Sequence, residues 1–124
     1  MDTQDGLVMV VDDEASVRQI AASVLRRCGY EVLSAPDAPS ALEQLAEHPR
    51  PLELLLTDVV LPGTRGDELA RTLRSKHPAL RVVFMSGYEE DELSEMGVTE
   101  VGNAYLTKPF TTEVLMLMVQ GAMA

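Results

Sequence analysis

Three short apolar runs, at residues 7–11, 54–56 and 82–85, recur along the chain with helix-period segments between them, and this alternation leaves few folds open. Each run is bounded by polar or turn residues and shows no apolar–polar alternation within it, the pattern of a strand buried on both faces. Weaker strands are readable at 31–35 and 103–107, limited by the helical patterns beside them. Between the first two strands, Val17, Ile20, Ala21, Val24, Leu25 and Cys28 follow the i, i+3, i+4, i+7 spacing up to Gly29. A second helix starts after Asp37 as N-cap, takes Pro39 in its first turn and buries Ala38, Ala41, Leu42 and Leu45 before Pro49. A third covers 66–75 over Leu69, Ala70 and Leu73. The fourth, over the acidic stretch 89–95, has only Leu93 and Met96 as apolar anchors before Gly97, so a short or mobile helix is expected. The last begins at Thr111, with Phe110 and Leu115 placed for a hydrophobic staple. Five strand–helix alternations joined by right-handed crossovers make an α/β, doubly wound sheet with helices on both faces.

A length of 124 residues suits a single domain, 1–124, with 1–5 as a flexible N-terminal tail. Twenty Asp and Glu against ten Lys and Arg give a net charge of −10, which repels a phosphate backbone and disfavours direct nucleic-acid binding. Any acids that converge in space would instead draw a divalent cation. The lone Cys28 excludes an internal disulfide, the reading is cytoplasmic, and no apolar run approaches the roughly 20 residues of a membrane span.

In a doubly wound sheet the working site lies beyond the carboxyl ends of the strands. Asp12, Asp13 and Glu14 follow the first strand, Asp58 the third, Ser86 and Gly87 the fourth, Lys108 and Pro109 the fifth. Taken singly, an acid pair before a helix is a cap, Ser-Gly a turn and a lysine a solvated charge. Taken together, clustered carboxylates need a hard cation such as Mg²⁺ to stay ionised, and a carboxylate nucleophile, metal, hydroxyl and ammonium make an acyl-phosphate site. His48 and His77 each precede a proline at a helix end and read as structural.

The segments VVDDE (10–14), TDVVLPGTRGDEL (57–69), MSGY (85–88) and YLTKPF (105–110) resemble the receiver domains of two-component response regulators over nearly the whole chain. The wording of the last two is similar to receivers attached to hybrid histidine kinases. The resemblance implies a flavodoxin-like five-stranded parallel sheet of order 2-1-3-4-5. It implies that Asp58 accepts a phosphoryl group from the phosphohistidine of a histidine kinase or a histidine phosphotransfer protein. Asp12, Asp13, Asp58 and the Val60 backbone carbonyl would hold Mg²⁺, for which Mn²⁺ can substitute. Ser86 and Lys108 would bind the phosphoryl group, Ser86 and Tyr105 would form the switch pair, and the Lys108–Pro109 peptide would be cis. Val60 and Tyr88 match positions flanking the path of the water that hydrolyses the acyl phosphate, so they would tune its lifetime.

Such a domain is a phosphoacceptor with self-phosphorylation and self-dephosphorylation chemistry, not an enzyme acting on other substrates. Two other classes stay open. One is a phosphate-independent pseudo-receiver acting as a docking module, against which the complete acid set argues. The other is an aspartyl-phosphate hydrolase of the haloacid dehalogenase type, which lacks its general acid here because Val60 stands two residues after Asp58. The C-terminal helix, with Val114, Leu115, Met116, Leu117, Met118, Val119, Ala122 and Met123, has hardly any polar face. Exposure is expected at Met116 or Met118, with homodimer or intra-protein docking through this helix.

Overall fold

The computed structural model describes residues 6–88, 90–95 and 104–124. Strands β1 (Leu7–Val11), β2 (Glu31–Ala35), β3 (Leu52–Asp58), β4 (Arg81–Ser86) and β5 (Ala104–Thr107) form one sheet, all pairs parallel, in the order β2-β1-β3-β4-β5. Helices α1 (Ala15–Arg27), α2 (Ala38–Ala46), α3 (Gly66–Lys76), α4 (Glu90–Glu95) and α5 (Thr112–Met123) alternate with them. This is the doubly wound sheet expected from the alternation, in the flavodoxin-like strand order that the resemblance implies. The proposed 1–5 tail, Glu89, Met96, Gly97 and Asn103 lie outside the described residues.

Strand geometry explains why the runs are apolar throughout. Alternate side chains of β1 enter different cores: Leu7, Met9 and Val11 pack with Ala41 of α2 and Leu69, Ala70 and Leu73 of α3, whereas Val8 and Val10 pack with Val24 and Leu25 of α1 and Leu115 and Val119 of α5. The α4 residue Leu93 joins the first core. Each fully buried leucine contributes about 1.5–3 kcal/mol, so a polar residue at any β1 position would be costly on either face.

The sequence places the third strand at 54–56, but it starts at Leu52. Leu7 pairs with Leu52 and Val8 with Leu54, leaving Glu53 as an extra residue in a bulge. The bulge turns Leu52 to the same side as Leu55, with which it shares a core, while Glu53 stays exposed. A charged residue inside a strand hides the strand's start from an apolar-run reading.

The helices carry readable caps. The Asp37 carboxylate accepts from the Ser40 N–H at 2.9 Å, and the Thr111 hydroxyl accepts from the Val114 N–H at 3.1 Å. α1 ends with Arg26 and Arg27 in its last turn and Gly29 at φ 96°, a left-handed geometry that glycine adopts without a Cβ penalty.

Two readings of exposure need correction. Ile20, placed on the apolar face of α1, is 50% exposed, because Ala21, Val24 and Leu25 already fill the contact with the sheet. On α5, Met116 and Met118 are half-buried against the core, and the exposed apolar side chains are Val114 and Leu117. With Leu115 and Val119 aimed at the sheet, Leu117 falls on the opposite side of the helix. Among the described residues no helix is long and apolar enough to cross a membrane.

Candidate functional site

Sheet register assembles the site. Val11 pairs with Thr57, Asp58 with Met85 and Ser86 with Thr107, so Asp58 and Ser86 at the ends of β3 and β4 meet Asp12 and Lys108, one step beyond β1 and β5, at one edge. Two backbone hydrogen bonds extend the order past the strands: Val59 N–H donates to the Met85 carbonyl at 3.2 Å and Lys108 N–H to the Ser86 carbonyl at 2.8 Å. The Lys108–Pro109 peptide is cis.

Asp12, Asp13 and Asp58 each offer a carboxylate oxygen within 4.8 Å of the others. Asp12 is fully buried, Asp58 is 9% exposed and Asp13 is exposed. Asp12 Oδ1 accepts from the Glu14 N–H at 2.9 Å, and the Arg18 guanidinium donates to the Asp12 carbonyl at 2.6 Å. Asp58 Oδ1 accepts from the Val60 N–H at 3.1 Å. Lys108 Nζ lies 2.8 Å from Asp12 Oδ2, 2.9 Å from Asp58 Oδ2 and 3.3 Å from Glu14 Oε1. It spans three acids from two segments, Asp12 and Glu14 between β1 and α1 and Asp58 at the end of β3. Glu14 is a partner that the sequence reading left without a role, although an acid two residues beyond the first aspartate sits at the helix entrance nearest the lysine.

These contacts set the protonation equilibria. Burial pushes the Asp58 carboxyl above its ordinary value of 3.8, with the Asp12 charge adding to the rise, against the lowering pull of Lys108 and the Val60 N–H. Burial works to lower the Lys108 ammonium, but its pairing with Asp12 and Asp58 overrides that and holds it far above its ordinary 10.5. A single ammonium thus leaves the acid cluster short of positive charge. Asp12 Oδ2 expresses the same deficit: it is buried, and among the described residues the one group it meets is the Lys108 ammonium at 2.8 Å, which it shares with Asp58. Buried carboxylate oxygen with spare lone pairs, beside two more carboxylates, fits a hard divalent cation.

The remaining sequence-assigned residues surround this centre. Ser86 is buried, and its hydroxyl accepts from the Tyr88 N–H at 2.9 Å. The Tyr105 ring stacks on Phe84, its pairing partner on β4, at a centroid distance of 5.6 Å. Val60 and Tyr88 are 46% and 44% exposed. Val17, Ile20, Pro109 and Phe110 line an apolar cleft of about 410 Å³ whose polar members are Glu14 and Lys108.

Beyond Asp58 the chain turns back into α3 under tight control. Gly66 N–H donates to the Val59 carbonyl at 2.9 Å, and a Cβ on Gly66 would stand 2.0 Å from the Asp58 carbonyl oxygen, so only glycine fits. Arg65, the N-cap of α3, donates from Nε to Asp67 Oδ1 at 3.0 Å and from Nη2 to Asp67 Oδ2 at 2.9 Å. Asp67 is 1% exposed, and Arg71 Nη2 lies 3.6 Å from its Oδ2. The sequence gives this pair no distinct signal, since Arg-x-Asp is common on surfaces and its burial arises only in the folded turn.

The sequence profile of the response regulator receiver domain matches residues 8–120. The chain is 34% identical to the sensor kinase CckA of Brucella abortus, over 91% of this chain and 12% of that protein. It is also 34% identical to the probable transcriptional regulatory protein TcrX of Mycobacterium tuberculosis, over 96% of this chain and 50% of that one. It therefore spans half or less of these relatives. Among solved structures, the receiver domain of the hybrid histidine kinase CckA is 34% identical with a TM-score of 0.80, covering 96% of this chain and 100% of that one. A chemotaxis response regulator of Vibrio cholerae is 27% identical with a TM-score of 0.81, covering 95% of this chain and 98% of that one.

Proposed function

Because the chain belongs to the receiver domains of two-component response regulators, signalling domains that work with histidine kinases, we propose that it is a phosphorelay switch in which Asp58 is the phosphoacceptor. The observation that carries this reading is the set of contacts made by Lys108 Nζ, which holds Asp58 Oδ2 at 2.9 Å and the buried Asp12 Oδ2 at 2.8 Å. A carboxylate oxygen of Asp58 attacks the phosphorus of a phosphohistidine and the P–O bond forms. The P–N bond breaks, its electron pair goes to the imidazole, and the product is an acyl phosphate.

Asp12, Asp13, Asp58 and the Val60 carbonyl would hold Mg²⁺, or Mn²⁺ in its place. The ion supplies charge neutralisation for the incoming phosphoryl oxygens. Lys108 supplies a fixed ammonium to the same group, and the Ser86 hydroxyl, which accepts from the Tyr88 N–H, donates its O–H to a phosphoryl oxygen. A charge-assisted hydrogen bond of about 1.5–3 kcal/mol then biases the loop after β4 and, through the Phe84–Tyr105 pair, the β5 edge. The apolar cleft of Val17, Ile20, Pro109 and Phe110 beside Lys108 suits the helix of a histidine kinase or histidine phosphotransfer protein that presents the phosphohistidine. The exposed Val114 and Leu117 on α5 suit docking to a second copy or to another domain of a parent protein. The chain acts on no other substrate and works where the donor's phosphohistidine is made, in the cytoplasm.

The test is incorporation of phosphate from acetyl phosphate or a phosphohistidine donor. Wild type takes up label only with Mg²⁺ or Mn²⁺ present, and Asp58→Asn takes up none. Equal labelling of Asp58→Asn would refute the assignment.

A further inference from the structure

The geometry points to the Arg65–Asp67 pair as the positioning element of the site: a two-pronged ion pair, half-exposed at Arg65 and buried at Asp67, that seats Gly66 under Asp58 and so fixes where the Val60 carbonyl and the Asp58 carboxylate stand. This inference rests on the metal-binding reading of the acid cluster given above.

Three observations converge on it. The first is chemical misfit at the N-cap of α3. That position favours Ser, Thr, Asp or Asn because their oxygens accept from the first helical N–H groups, and a guanidinium has no acceptor. Half of the usual arrangement survives, with Glu68 Oε1 accepting from the Arg65 N–H at 3.1 Å. The arginine side chain turns instead to Asp67, with both prongs engaged at 3.0 and 2.9 Å.

The second is burial. Burial raises the Asp67 carboxyl, and the Arg65 hydrogen bonds and charge override it, leaving the group below its ordinary value of 3.8. With the Arg65 side chain still 34% exposed, the pair adds little net stability, whereas its parallel hydrogen bonds to the buried carboxylate fix geometry in a way apolar contacts do not.

The third is location. Arg65 and Asp67 flank Gly66 directly, and their fork clamps the one residue with no room for a side chain against the Asp58 carbonyl. Gly66 N–H in turn holds the Val59 carbonyl at 2.9 Å, and the next residue, Val60, donates to Asp58 Oδ1 at 3.1 Å. The backbone joins these hydrogen bonds into one path from Asp67 to the Asp58 carboxylate.

The experiment measures Mn²⁺ binding from the loss of the free-ion electron paramagnetic resonance signal, together with thermal unfolding in EDTA, for wild type, Asp67→Asn and Arg65→Lys. Arg65→Lys keeps the charge and removes the fork. Both variants are expected to bind Mn²⁺ roughly tenfold more weakly, the lower range seen when groups behind metal ligands are lost, while their melting temperatures in EDTA stay close to wild type. Arg65→Gln should behave as Arg65→Lys does, since neither supplies a two-pronged guanidinium. Unchanged affinity in both variants, or a fall in melting temperature without a fall in affinity, would overturn the positioning role and leave the site reading intact. Failure of both variants to fold would assign the pair to stability and likewise overturn it. Wild type that binds no Mn²⁺ would remove the site reading and this inference with it.

Discussion

Lys108→Met separates the two jobs a cation does at this site. The methionine keeps the length and apolar stem of lysine and removes the ammonium that stands 2.8–3.3 Å from Asp12, Asp58 and Glu14. Glu14 is mostly exposed and loses little, but Asp12 is fully buried and Asp58 nearly so. Stripping one partner from a buried ion pair costs about 3–5 kcal/mol, and the 16% and 12% residual exposure of the Lys108 and Asp58 side chains places this case near the lower end. At about 4 °C per kcal/mol for a chain of 124 residues, the melting temperature in EDTA should fall by roughly 12 °C. Lys108 and a divalent cation compete for the same oxygens, so the variant should gain more from Mg²⁺ than wild type does. The gain follows RT ln(1 + [Mg²⁺]/Kd), about 2.7 kcal/mol at a hundredfold excess over Kd.

The pH dependence has a definite sign. Asp58 has a folded pKa above its unfolded 3.8, so the stability contributed by its protonated form is full below the unfolded value and is lost as pH rises through the folded one. Without the ammonium the folded value climbs further, and acidification from neutral pH toward the ordinary carboxylate range should narrow the gap between variant and wild type. Scanning calorimetry at both pH values, with and without Mg²⁺, measures all of this. A melting temperature within a few degrees of wild type in EDTA, or an identical Mg²⁺ gain in the two proteins, would refute the charge-deficit argument.

Replacing Gly66 by Ala should destabilise the fold by about 3 kcal/mol or more, since the new Cβ would meet backbone oxygen at 2.0 Å, and chemical denaturation reads the loss directly. The double variant Val60→Asn, Tyr88→Glu should lose its acyl phosphate faster than wild type, because polar groups at these two exposed positions can orient the attacking water; slower loss of label in the variant would count against that role. Leu117→Glu should weaken self-association or docking in sedimentation and leave Asp58 labelling intact, whereas unchanged association would exclude α5 as an interface. This test moves from the methionines to Leu117 because Leu117 is 68% exposed.

The site was easier to read from the chain than parts of its scaffold. Asp12 and Lys108 come directly after a strand and Asp58 and Ser86 close one, so an apolar run and the polar residue at its end suffice to place them once the sheet is known to be parallel. Boundaries failed where one residue contradicted its surroundings. Glu53 hid the start of β3, and Ile20 fitted the helical period of α1 but lies at the edge of its stripe, where the sheet no longer covers it. On α5 every position from Val114 to Val119 is apolar, so the pattern could not tell Met116 from Leu117; only the docking angle of the helix does. The Arg65–Asp67 fork was out of reach for a different reason: its partners are two residues apart, and what makes it unusual is burial that the chain acquires only on turning around Gly66.

The bulge at Glu53 makes the sheet unequal in its tolerance of changed chain length. It absorbs one extra residue at the amino end of β3, before Val8 pairs with Leu54, and from there to Asp58 the register runs without interruption. Insertions or deletions at that end shift only Leu52 and the turn preceding it. A single residue gained or lost between Leu54 and Asp58 would instead turn every later side chain to the wrong face and move Asp58 about 3.3 Å along the strand, away from Asp12 and Lys108. Length variation within this lineage should therefore gather on the side of the sheet opposite the carboxylates, and a stretch of five residues should keep a fixed count even where their identities drift.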